Sequence, residues 1–94
     1  PLDMYIDRVK NGWWQYVRQA APTATQREIG ERLGISDSTV SRWRWGTMHP
    51  TPQQAAAFAR AFGRSGAEGL VAAGYLTDTD LIHLVREVRE LAVA

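Results

Sequence analysis

Apolar residues recur along this chain at helical spacing, and nothing in it reads as a strand. Leu2, Ile6, Val9, Trp13, Val17 and Ala20 share one stripe of a helix over 2–21, with Tyr16 at its border and Arg8, Asn11, Gln15 and Arg18 opposite. Asn11-Gly12 is a turn-forming pair inside that stripe. The apolar phase holds across it, so the pattern predicts one helix, with fraying or a kink at Gly12 as the alternative. Trp13 belongs to the core, and Trp14 sits at the stripe's edge. A loop over 21–24 then leads to Thr25 and Glu28, which have capping-box spacing. Ile29 and Leu33 give the next helix its stripe, Gly30 beside them allows a close approach, and Gly34 ends it. Ser36 caps a second short helix that runs through Trp45 to Gly46. Its Val40 and Trp43 face inward, while Ser38, Arg42 and Trp45 fall on the opposite side, flanked by Asp37, Thr39 and Ser41.

Three further helices follow. Thr51, Pro52 and Gln54 form a consistent start signal for a helix over 51–62 that buries Ala55, Phe58, Ala59 and Phe62. Ser65 and Glu68 open a short one over 65–73, closed by Gly74. The last runs over 77–93 on a stripe of Leu81, Leu84, Val85, Val88, Leu91 and Ala92. The prediction is a single all-α domain over 1–94 with five to six short helices and a C-terminal amphipathic helix.

Two helices around a tight turn over 25–46 are the arrangement of a helix-turn-helix, whose second helix enters the DNA major groove. The bland alternative is a helical hairpin in a small bundle. The stretch resembles the Cro/repressor-type, xenobiotic-response-element-like regulators. Thr25 and Gln26, Gly34 and Ile35, then Val40, Ser41, Trp43 and Gly46 carry the resemblance, which extends less strictly to about Phe62. It implies a lambda-repressor-like domain, with phage Cro or immunity repressors as the closest likeness. By the same resemblance Asp37, Ser38 and Arg42 read bases, and Gln26 binds phosphate and buttresses the reader. Arg27, Ser36, Thr39, Ser41, Arg44 and Trp45 complete the candidate DNA-facing set. Arginine can hold guanine O6 and N7 together, the commonest specific major-groove contact. Two positions depart from the family. Arg44 stands where an acidic residue commonly pairs with an arginine of the first helix, so it would repel Arg18 unless one turns to phosphate or to Glu28. Trp45 replaces a small polar residue, and either stacks on a sugar or packs against the loop over 47–50.

The charge distribution agrees with a phosphate-binding face. The net charge of the 94 residues is +1. Residues 25–64 hold six arginines against three acids, whereas residues 65–94 hold two against five. Arginine outnumbers lysine ten to one, which a GC-rich genome also produces. The absence of cysteine excludes a thiolate site and a disulfide framework, and fits a cytoplasmic protein. No stretch is long enough to span a bilayer, and no secretory signal opens the chain. His49 and His83 lie in different elements, so neither a metal site nor a cofactor is expected, and no nucleophile has a base beside it.

The expected partner is therefore double-stranded operator DNA. A homodimer through Leu81, Leu84, Val85, Val88 and Leu91 is one use of the last helix. Packing that stripe back onto Phe58, Phe62 and the first helix is the other. The rival function is a helix-turn-helix protein-interaction module, such as an adaptor or a partner-binding antitoxin. The closing residues 90–94 lack a polar tail, as a truncated chain would.

Overall fold

Asn11 forms a turn, and helix α1 (Gly12–Ala20) starts directly behind it. The described helix thus begins at the Asn11-Gly12 pair, the point at which the sequence offers fraying or a kink. The structure is a computed structural model that describes residues 11–93, so the stripe positions Leu2, Ile6 and Val9 lie outside the described residues. Those residues form six helices and no strand: α1, α2 (Gln26–Leu33), α3 (Asp37–Trp45), α4 (Pro52–Ala61), α5 (Gly66–Ala72) and α6 (Asp78–Val93). The all-α prediction holds.

Local chemistry sets the boundaries. The hydroxyls of Thr25, Ser36, Thr51 and Ser65 each accept a hydrogen bond from the backbone N–H three residues on, filling one donor that a helix start leaves open. Only Thr51 gets the reciprocal bond within these four, from its N–H to Gln54 Oε1 at 2.9 Å. At Thr25 only half of the expected box forms: Glu28 N–H donates to Thr25 Oγ1 at 3.1 Å, and the exposed Glu28 carboxylate makes no return bond. Thr77 and Asp80 exchange a reciprocal pair at the start of α6. Those bonds from Thr77 hold the Asp80 carboxyl below its ordinary range.

The motif packs on an aromatic centre. Trp13, Val17, Ile29, Val40, Trp43 and Phe58 are buried together. The Trp13 ring meets Trp43 edge-on at 5.6 Å and Phe58 at 5.4 Å, a favoured arrangement of ring quadrupoles. Tyr16 packs on Phe58 at its margin, and burial, assisted by the charge of Glu68, pushes its hydroxyl up to about 12. α4 and α5 pack most closely, through Gly69, where a Cβ would strike the Ala55 carbonyl.

Between α2 and α3 the approach is just as tight. A Cβ on Gly30 would lie 2.7 Å from the Ile35 carbonyl oxygen. What approaches Gly30 is therefore the turn itself rather than another helix. Gly34 closes α2 at φ 69°, with Ile35 N–H reaching back to the Gly30 carbonyl at 2.9 Å. Gly30→Ala is expected to lower stability by about 1–3 kcal/mol through overpacking. That exceeds the gain in helix propensity, at most about 1 kcal/mol. A melt of the variant at or above the wild-type temperature would show that the turn can yield.

Candidate nucleic-acid interface

Helix α3 is held at both ends. Ser36 Oγ accepts from Thr39 N–H at 3.1 Å and shares a further hydrogen bond with Thr39 Oγ1 at 3.0 Å. Gly46, at φ 73°, closes the helix, and Thr47 N–H bonds the Arg42 carbonyl at 3.0 Å. Asn11 Nδ2 donates to the Arg44 carbonyl at 3.2 Å, tying the start of α1 to the end of α3. Behind the helix, Tyr75 Oη donates to the Pro50 carbonyl and His49 Nε2 bonds the Ala73 carbonyl, both at 2.7 Å. These bonds fix the loop that follows α3. Its inner side, Val40 and Trp43, is fully in the core. An outward face results whose position does not depend on its own side chains.

The expected outward residues divide into two groups. Asp37, Ser38, Arg42, Arg44 and Trp45 are exposed, whereas Thr39 and Ser41 are half-buried. The Ser36 and Thr39 hydroxyls are committed to each other and to the helix cap, which leaves them less free for DNA than the rest of the candidate set. Ser38 and Arg42 have no such commitment. The ion pairs among the described residues, Arg27–Glu31 at 3.3 Å and Arg64–Glu68 at 3.4 Å, leave the Arg42 guanidinium free. Trp45 is 69% exposed, so it does not pack against the 47–50 loop; the Arg44 guanidinium lies on its ring at 5.0 Å.

A cleft of about 620 Å³ adjoins this face. Trp14 and Arg18 of α1, Gln26 and Arg27 of α2, and Asp37 and Arg44 of α3 line it. Arg18 is not bonded to Glu28. Its Nη2 donates to the Ala24 carbonyl at 3.1 Å and its guanidinium lies on Trp14 at 4.7 Å. The expected repulsion between Arg18 and Arg44 is thus met by drawing each cation onto an indole. Trp14 was not among the residues expected here, because an aromatic pair beside an apolar stripe reads as core. The one signal for it was its place at the stripe's edge.

α6 stands apart from this arrangement. It packs closely on no other helix among the described residues. Ile82, Leu84, Val85, Val88 and Leu91 are 47–78% exposed. The expected return of this stripe onto Phe58, Phe62 and the first helix does not occur among the described residues. Among those residues no helix is long and apolar enough to cross a membrane.

No curated protein and no solved structure matches the chain. Residues 24–68, which span α2 to the start of α5, match the family model described as helix-turn-helix. Over that segment the chain is similar to helix-turn-helix domains, and its helices fit the lambda-repressor-like fold.

Proposed function

We propose that the protein is a sequence-specific repressor of the Cro or immunity-repressor kind, of phage or prophage origin, that binds operator DNA in the host cytoplasm through the major groove. The observation that carries this reading is the outward face of α3. Arg42 is exposed and free of ion pairs among the described residues, and lies one turn beyond the exposed Ser38. Asp37 stands at the N-terminal end of the same helix, where a carboxylate can accept from cytosine N4. Arg27, Arg44 and Gln26 flank this face as phosphate contacts. Two copies joined through α6 place two such faces on a two-fold site, with half-site centres about 34 Å apart.

The test is a gel shift against genomic fragments with the wild type and a Ser38→Ala/Arg42→Ala double variant. Retention of a discrete fragment by the wild type alone supports the reading. Absence of any shift, together with capture of a protein partner, favours an interaction module instead. Within the operator so identified, Arg42→Ala is expected to cost about 1–3 kcal/mol and to relax preference at one base pair per half-site. An equal loss on operator and random DNA would make Arg42 a phosphate contact.

A further inference from the structure

We propose that His49 and Tyr75 form a clamp that fixes the direction of α6 relative to the reader helix, and so determine which separation of half-sites the protein accepts. The inference rests on the DNA-binding reading above and on the joining of two copies through α6.

Two crossed bonds make the clamp, between the loop behind α3 and the segment that leads into α6. His49 Nε2 donates to the Ala73 carbonyl, which can only accept, and Tyr75 Oη donates to the Pro50 carbonyl, each at 2.7 Å. The two rings also pack against each other at a tilt, with centroids 5.8 Å apart. Both carbonyls belong to anchored residues, since Pro50 and Ala73 are buried.

The clamp is tied closely at both ends. On one side, the N–H groups of Thr47 and Met48, just before His49, bond the Arg42 carbonyl of α3 at 3.0 and 3.3 Å. On the other, Tyr75 N–H bonds the Leu70 carbonyl of α5 at 2.8 Å. Leu76 alone then separates Tyr75 from Thr77, whose bonds with Asp80 start α6. Because α6 packs closely on no other helix among the described residues, this joint is what gives it a direction.

Length turns that direction into a selectivity. With sixteen residues α6 is about 24 Å long, so a swing of about 10° at its root moves its far end by about 4 Å. Half-site separation along DNA changes in steps of about 3.4 Å. A joint loose by that amount spans more than one separation, whereas a joint held by two bonds selects one.

The test uses the full chain and the operator fragment retained in the gel shift, rebuilt with its half-sites moved together or apart by one or two base pairs. Tyr75→Phe and His49→Phe each keep an aromatic ring and remove one bond, and the double variant removes both. The wild type should bind one separation about tenfold or more tighter than its neighbours, because avidity is lost where geometry forbids joint engagement. In the double variant that ratio should fall to about twofold or less, with affinity for a single half-site unchanged. A second measurement needs no DNA. The chain has no cysteine, so spin labels at Gln53→Cys and Glu90→Cys, both exposed positions, report the distance from α4 to α6. Dilution with unlabelled protein confines the signal to one protomer. The distance distribution should be narrow with the clamp intact and broaden in the double variant. A spacing profile or a distance distribution that stays unchanged in the folded double variant overturns the proposal and leaves the DNA reading standing. Tyr75→Phe, which differs by a single oxygen atom, carries the same comparison should the double variant unfold. A wild type that binds every separation alike overturns the proposal together with the joining through α6, and one that binds no DNA overturns the DNA reading as well.

Discussion

Trp43→Ala is expected to cost about 3–5 kcal/mol, the usual loss when a large buried aromatic is truncated. A domain of this size has a total stability on the order of 5–15 kcal/mol, so the variant should be substantially unfolded at growth temperature. The indole is 1% exposed and meets the Trp13 ring edge-on, which in turn packs on Phe58, so it anchors α3 to the aromatic centre. The same residue carries a cost of its own. Its Nε1 is buried without a hydrogen-bond partner, a defect worth about 1–3 kcal/mol. Trp43→Phe removes that N–H together with part of the ring, and should lose less than half of what alanine loses. Urea melts of the two variants, followed by tryptophan-independent far-UV circular dichroism, give both numbers. Equal losses would mean that a phenyl ring recovers none of the packing and that removing the buried N–H gains nothing.

The helix boundaries were legible in the sequence because their chemistry is local. Thr25, Ser36, Thr51 and Ser65 each reach an amide three residues away, and Gly34 and Gly46 take the left-handed conformation their positions require. The outward group on α3 was legible for the same reason: with Val40 and Trp43 inside, a period of 3.6 residues leaves Ser38, Arg42 and Trp45 outside. Bonds from a side chain to a distant carbonyl have no such period. Arg18 to Ala24, Asn11 to Arg44, His49 to Ala73 and Tyr75 to Pro50 join separate segments, and a lone polar residue in the sequence does not announce its partner. The role of Trp14 was hidden by its neighbour. Two adjacent tryptophans both raise the apolar content of the stripe, yet only Trp13 enters the core, while Trp14 carries a cation at the cleft's edge. Amphipathicity likewise said that α6 has a face to cover, without saying what covers it.

The second large effect is expected at that face. Leu84→Gln with Val88→Gln should convert a dimer into a folded monomer and reduce affinity for a two-half-site operator by about 10²–10⁴-fold, the contribution of the second, intramolecular binding event. Affinity for a single half-site should stay near that of the wild type, since neither residue is on α3. The argument starts from exposure. Five large apolar side chains on one helix, with no close packing among the described residues, form a patch of the kind that marks an interaction surface. Leu81 and Val88 occupy a positions and Leu84 and Leu91 d positions, and valine at a with leucine at d favours two parallel strands. A sixteen-residue helix is marginal by itself, so the variant should also lose helicity over α6 while the melt of the remaining domain is retained. Light scattering and far-UV circular dichroism, recorded on the same samples, separate the outcomes. A folded monomer that still binds half-sites supports the seam. Global unfolding would assign α6 to the core of its own chain, and a dimer that persists would place the contact elsewhere.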